Sequence, residues 1–431
     1  MRTVANLFLR EGRRPVVMRV DRRAARWFLW GMVLTVLLGA AGAAPGLTAA
    51  SSTGAALPML PPPVPVFPEA AIPVGSDPWG IAFDSSNGYT YVGNLGSDNV
   101  TVLSGISNSV VVPSITVGGG PTGVAFDPSN GYVYVANCDS NNLTVIDGST
   151  NKVVVPSIAV GSCPYGIAFD SSNGYGYVDN TESGNVTVIN GASNKVVASI
   201  YVGSVPYGPA YDPSNGDIYV PNGGSDNVTV IDGATDKVIV PSIPVGTFPV
   251  TIAVDRTTGY VYVNDFGEAN TTAINGTTNT VVARGIGVGG DPYGIAYDAR
   301  NGYIYVASTI SNNLTVINGA TDKVVIPSIP VLSRPGSVAV DARSGEVLVC
   351  DEDSDIVTAI AVPSPPASPS TGGSTPFLGL NSAEAAALVG ALVVWGAAGS
   401  VLAVFYHLRR PKPAPPLTPS APPPAPPPGP P

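Results

Sequence analysis

Seven carboxylates recur at intervals of 42 or 43 residues along this 431-residue chain: Asp84, Asp127, Asp170, Asp212, Asp255, Asp298 and Asp341. Gathered around an axis, such a set would form a ring of oxygen ligands able to hold a cation. Each of them, though, leads into Ser-Asn-Gly, Thr-Gly or a similar turn, where an aspartate accepts hydrogen bonds from the backbone amides just beyond it. Turn formation is the expected role. A second acidic set, Asp351, Asp353 and Asp355, places oxygen donors at alternate positions as calcium loops do, but without the following Gly and the distal Glu of such loops. A solvated acidic loop is the simpler reading there.

Nucleophilic and metal chemistry has little else to draw on. The only histidine, His407, lies at the inner edge of a C-terminal apolar segment. A Ser-His-Asp triad, a Cys-His pair or a His-ligated metal is therefore excluded from the repeated part of the chain. No catalytic residue and no cofactor is assigned. Cys138 and Cys163 fall in loops at one end of the same repeat unit, so either a disulfide or two free thiols is open, while Cys350 ends a strand as a small apolar residue. Asn99, Asn142, Asn185, Asn227, Asn270 and Asn313 each open an Asn-x-Thr acceptor, one per repeat in six repeats, and Asn275 opens another. Two readings stand for them: glycan attachment at an exposed strand start, or a turn-ending Asn followed by a β-branched residue that begins a strand. Trp79, Tyr165, Tyr207 and Tyr293 follow a recurring Pro, with Thr122, Val250 and Gly336 at that place in the other copies. Such rings could stack on a sugar or grip a peptide, or pack on one another at a channel mouth.

All these residues are positioned by one phrase written seven times. "PWGIAFDSSNGYTYVGNLGSDNVTVLSG" from Pro78 returns as "PTGVAFDPSNGYVYVANCDSNNLTVIDG" from Pro121, and further copies start at Pro164, Pro206, Pro249, Pro292 and Pro335. A period near 43 with several strands per copy implies an all-β, seven-bladed β-propeller of four-stranded blades. Each copy reads as "GIAFD", "YVYVA", "LTVI" and "VVVPSIAV", separated by Gly/Asn/Asp turns. The first strand carries an invariable Ala (Ala82, Ala125, Ala168, Ala210, Ala253, Ala296, Ala339), as crowding near the axis requires. Tyr132 and Tyr134, two apart, share a sheet face and should pack against the next blade. The seventh copy lacks its fourth strand, and Val64 to Gly75 supplies a matching one, so the N-terminal strand should complete the last blade and close the ring.

Charge is unevenly placed. Residues 1–26 form a basic lead with eight Arg against Glu11 and Asp21, whereas from Val66 to Pro363 there are 27 acids against nine Lys and Arg, a net of −18. A body so acidic is a poor partner for polyanions, which argues against nucleic acid. Residues 27–44 are uncharged and end near Ala41-Gly42-Ala43, the pattern of a cleaved signal peptide or a retained signal anchor. A Pro/Ala-rich linker, 45–63, leads to the propeller at 64–363, and a Pro/Ser/Thr stalk follows at 364–384. The segment 385–407 begins with 22 uncharged residues, which as a helix would span ~33 Å, enough to cross a bilayer. Arg409, Arg410 and Lys412 come next, which places the Pro-rich tail 408–431 in the cytoplasm and the propeller outside a C-terminal transmembrane helix.

"YVGN" at Tyr91, "YVAN" at Tyr134, "YVDN" at Tyr177, "YVPN" at Tyr219 and "YVND" at Tyr262 resemble the repeat named for Tyr-Val-Thr-Asn. That YVTN-repeat β-propeller family occurs in archaeal surface-layer proteins and bacterial cell-surface proteins. The third motif position departs from the pattern throughout, and the seventh copy degrades to "LVCD" at Leu348. The resemblance implies a surface propeller and leaves its ligand open. The expected function is a non-catalytic surface-layer or adhesion-type module that binds a surface protein or glycan through one propeller face. The alternatives are an exoplasmic enzyme or cofactor-binding propeller of quinoprotein or lactonase type, and a structural coat subunit whose partners are neighbouring subunits.

Overall fold

A computed structural model describes residues 68–362. The basic lead, the 27–44 segment, the stalk, the 385–407 segment and the Pro-rich tail lie outside the described residues. Among the described residues no helix is long and apolar enough to cross a membrane.

Seven four-stranded antiparallel sheets follow one another along the chain. In blade 1, strand a is Pro78–Asp84, strand b Tyr89–Asn94, strand c Asn99–Ser104 and strand d Ser109–Thr116. In blade 7, strands a to c are Pro335–Val340, Glu346–Asp351 and Ile356–Ala361, and the fourth is Pro68–Pro73, antiparallel to strand c. The N-terminal strand therefore closes the ring, as the truncated seventh repeat requires. Blade 4 departs locally: Pro209 has no amide to give, and its strand a shrinks to Ala210–Asp212 with an isolated Pro206–Asn222 bridge.

The apolar core is divided among the blade junctions. Alternation along strand b turns Tyr91 toward blade 2, where it packs with Val133, Val135 and Ile146, and turns Val92 toward blade 7, where it meets Leu348 and Cys350. Every other junction has its own cluster of the same kind. Each fully buried Val or Leu in them stabilises the ring by roughly 1.5–3 kcal/mol.

A polar lock accompanies the first five apolar junctions on the face that carries the a–b and c–d turns, the lower face. The Tyr91 hydroxyl donates to Asn151 Oδ1 of blade 2 at 2.7 Å, with the Gly148 carbonyl at 3.1 Å. Tyr134, Tyr177, Tyr219 and Tyr262 repeat the bond to Asn194, Asp236, Asn279 and Asp322. Gly148 is required by space: a β-carbon there would lie 2.6 Å from the Asp84 carboxylate and 2.8 Å from the Gly131 carbonyl.

The outer strands are not regular. Between Val153 and Val155 the register slips, leaving Val154 as an extra residue opposite the paired Val145 and Ile146. The same bulge occurs at Val111, Val197, Ile239, Val282 and Val325. These six β-branched side chains are 37–48% exposed, and the neighbouring Val110, Val153 and Val196 share that outer surface at 36–46%.

Candidate functional site

Strand a of each blade enters the ring at the upper face, where the b–c turns and the blade-to-blade connections lie. Its third residue is Gly80, Gly123, Gly166, Gly208, Thr251, Gly294 or Ser337, and these small residues line a narrow cavity of about 160 Å³ on the axis. A β-carbon on Gly166 would sit 2.6 Å from the Gly208 α-carbon, so the inner strands can approach this closely only without side chains. The residue just before, at the mouth, supplies the rings.

Those rings do not stand open. Trp79 and Tyr293 lie with centroids 4.8 Å apart, Tyr165 and Tyr207 4.9 Å, and Tyr165 reaches across the axis to both Trp79 and Tyr293 at 6.4 Å. The Tyr293 hydroxyl donates directly to that of Tyr165. Trp79 is 5% exposed and Tyr293 3%. Of the two roles open to them, packing on one another is the one the geometry displays: the four rings converge from blades 1, 3, 4 and 6 into a plug. Large apolar faces brought to one narrow axis bury one another in edge and tilted contacts rather than remain in water. Phe248 and Phe266 extend the cluster from Tyr207, a contribution the repeat alignment missed because both lie in connections outside the strand pattern.

Asp179 belongs to the same end of the channel. It occupies the variable third motif position, where other blades carry Gly93, Ala136 or Ala307. Its Oδ1 accepts from the Gly166 amide at 2.7 Å, and burial pushes its carboxyl well above the usual range.

The seven recurring aspartates sit at the lower face, where each accepts the amide two residues on, as Asp84 does from Ser86 and Asp127 from Ser129. They are buried turn residues. Asp351, Asp353 and Asp355 diverge toward different partners. Asp351 accepts from Thr358, Asp353 pairs with Arg334 at 3.5 Å, and Asp355 Oδ1 accepts the Asp77 amide at 3.0 Å. The physical reason is a short 3-10 turn, Glu352–Ser354, that ends with Asp355 at φ 54°, aiming the three carboxylates at three partners. Asn141 and Asp226 play the Asp355 part at other junctions, bonding the amides of Cys163 and Phe248. No group of His, Cys, Asp and Glu among the described residues is arranged to hold a metal.

The acceptor asparagines are half-buried and tied into a network. Asn137, the last residue of the YVAN motif, donates from one amide nitrogen to Asn142 Oδ1 at 2.8 Å and to Thr144 Oγ1 at 3.0 Å. Thr144, 1% exposed, donates in turn to the Pro156 carbonyl beside the outer bulge. Asn94, Asn180 and Asn222 hold Asn99, Asn185 and Asn227 in the same way. Blade 5 substitutes Asp265, which accepts from Thr272 at 2.6 Å beside Asn270, whereas Asn275 lies at the lower end of the strand, where it accepts the Thr277 amide, and Asn313 donates to Ser328. In blades 1 to 4 this network gives Asn-x-Thr a structural role. Cys138 and Cys163 are joined as a disulfide that links blade 2 to the start of blade 3 on the upper face, and Cys350 is a buried free thiol.

Comparison with solved structures now has a geometry to rest on. The hydrazine synthase of Kuenenia stuttgartiensis superposes with a TM-score of 0.60 at 19% identity, over 67% of this chain and 96% of that one. The likeness is one of fold. No protein-family profile and no curated protein sequence matches the chain. The propeller's own surfaces therefore carry the evidence of its function. Sequence reading also passed over one of them, the pair Arg256 and Arg300 beside the lower mouth, although their turns break the repeated Asp-Ser-Ser-Asn-Gly or Asp-Pro-Ser-Asn-Gly phrase.

Proposed function

We propose that this propeller is a non-catalytic surface module of surface-layer type, anchored in a membrane and meeting neighbouring subunits through its outer rim. The observation that carries this reading is the girdle of six outward-turned residues, Val111, Val154, Val197, Ile239, Val282 and Val325, one on each of six blades. Bulges and Pro113, Pro156, Pro241 and Pro327 blunt the outer strands against edge-to-edge pairing, so the girdle offers side-chain contact without strand addition. Blade 7 puts Glu69 at its bulge instead, which leaves one sector of the rim charged.

Topology suits the same role. Strand c of blade 7 runs toward the lower face, so a stalk beginning after Val362 would tether the disc by that face and leave the rim free in the membrane plane. Burial of the rings at the upper mouth supports the rim over that face as the contact surface. Sedimentation velocity on the propeller tests the reading. Concentration-dependent association that is abolished by Val111→Lys with Val154→Lys is expected, whereas a monomer at every concentration would reject it.

A further inference from the structure

Below the aromatic plug the channel widens into a cavity of about 600 Å³ that spans blades 3 to 7 at the lower face. That size suits a small organic molecule, since ligand cavities run roughly 300–1,000 Å³. Its wall is mixed: Ala210, Ala253, Ala296, Ile252, Ile295 and Val340 give it an apolar part, beside polar groups of Tyr211, Tyr297 and Asp298. Arg256 and Arg300, exposed on the adjacent blades 5 and 6, stand at its edge.

The repeat supplies an internal control for these arginines. In blades 1 to 4 the a–b turn reads Asp-Ser-Ser-Asn-Gly or Asp-Pro-Ser-Asn-Gly, and in blades 5 and 6 it reads Asp-Arg-Thr-Thr-Gly and Asp-Ala-Arg-Asn-Gly. The bond that closes the turn is the same in both groups: 2.8 Å from Ser86 to Asp84 and 2.8 Å from Thr257 to Asp255. Folding of the turn does not need a cation. The seventh blade also carries one, Arg343, whose guanidinium lies against Gly88 and donates to the Ser85 carbonyl at 3.0 Å, fastening blade 7 to blade 1; the Arg300 guanidinium lies against Gly345 of blade 7 in the same way, without that bond. Arg256 and Arg300 make no ion pair among the described residues, where Arg334 forms those that are present. Two guanidinium groups outside any ion pair among the described residues, in a body of net charge −18, stand beside the hollow.

Charge narrows the ligand further. The Asp298 carboxylate also lines the cavity, where its Oδ1 accepts the Arg300 amide at 2.8 Å. Among the lining residues two guanidinium groups stand against one carboxylate, with the other turn aspartates close by, which suits a monoanion better than a phosphate dianion. The fork of an arginine suits a planar carboxylate, and the alanine and isoleucine wall suits a compact apolar body.

We propose that the lower mouth of the channel binds a small monoanionic carboxylate with a bulky apolar body, the body against the Ala and Ile wall and the carboxylate held between Arg256 and Arg300. The site lies on the axis and does not depend on the rim reading.

The test is calorimetric titration of 4-tert-butylbenzoate into the purified full chain in zwitterionic lipid nanodiscs, with empty nanodiscs as blank. The neutral 4-tert-butylbenzamide is the companion probe. One-to-one binding of the benzoate is expected, with the amide about tenfold weaker or more, since hydrogen bonds to charged groups carry most of the discrimination. Arg256→Ser with Arg300→Ser returns these turns to the chemistry of blades 1 to 4, and it should weaken the benzoate at least tenfold while leaving the amide unchanged. Lys152→Ser, a cation lost far from the axis, should have no effect. Far-UV circular dichroism checks that the double variant folds, and Arg300→Lys, which keeps the charge, stands in should it not. Absence of benzoate binding, equal affinity for the amide, or equal affinity of wild type and double variant would each overturn the proposal.

Discussion

Glu346 of blade 7 accepts a hydrogen bond from Asn108 of blade 1 at 2.7 Å, across the seam where the ring closes. At the first five junctions a tyrosine hydroxyl bonds the Asn or Asp in the equivalent place, but the seventh repeat has Leu348 where the others have Tyr. Glu346, two residues earlier, supplies the missing polar contact. Glu346→Ala should therefore weaken the seam by about 1–2 kcal/mol, with Asn108 left unpaired, whereas Glu346→Gln should be nearly neutral. Leu348→Tyr in the Glu346→Ala background should recover part of the loss. Thermal unfolding of the three variants checks this.

Acid should stabilise the propeller over a defined window. Burial pushes Asp265 and Asp351 up to about 6 and Glu352 up to about 7. A carboxyl whose folded value lies above its unfolded one is more protonated in the fold, so its penalty is full above the folded value and vanishes below the unfolded one. Stability should rise as pH falls from 8 toward about 4.5. Below that the trend reverses, because hydrogen bonds from Ser149 and from Thr247 hold Asp147 and Glu268 below their ordinary values, and that stabilisation is lost on protonation. Asp265→Asn and Asp351→Asn restore the Asn of the YVxN motif. They should raise the melting temperature at pH 8 and flatten its rise toward pH 5, while an unchanged profile would contradict the assignment.

The disulfide should be worth about 3 kcal/mol, given the 25-residue separation of Cys138 and Cys163. Reduction, or Cys138→Ala with Cys163→Ala, should lower the melting temperature. Thiol titration of the native described region should find none reactive until unfolding exposes Cys350.

Thr144→Val removes the acceptor motif and the buried hydroxyl together, and Thr144→Ser keeps both. In protein made without glycosylation, the Val variant should lose about 1–2 kcal/mol and the Ser variant much less. Equal stability of the two would show that the Asn137–Asn142–Thr144 network is not what the repeat preserves.

Much of this fold can be read from the repeat, because the signals are local: a 43-residue period, alternation in "YVYV", turn residues around Asp127, and a seventh copy short by a strand that Pro68–Pro73 makes good. What could not be read depends on approach in space. Tyr165 and Tyr293 are 128 residues apart, and their meeting follows from the convergence of strands from blades 3 and 6. The run Val153-Val154-Val155 looks like continuous strand, and only pairing with strand c shows that Val154 is extra and turned outward. Arg256 and Arg300 each break a turn pattern, but the cavity that joins them appears only once the blades are placed.

Electron microscopy of the full chain reconstituted in lipid bilayers tests the central claim most directly. Rim-to-rim arrays, with discs lying flat and neighbours meeting at the blades that carry Val111 to Val325, are predicted, and Val111→Lys with Val154→Lys should disperse them. Discs that stay isolated at high density, or that meet face to face, would contradict the account.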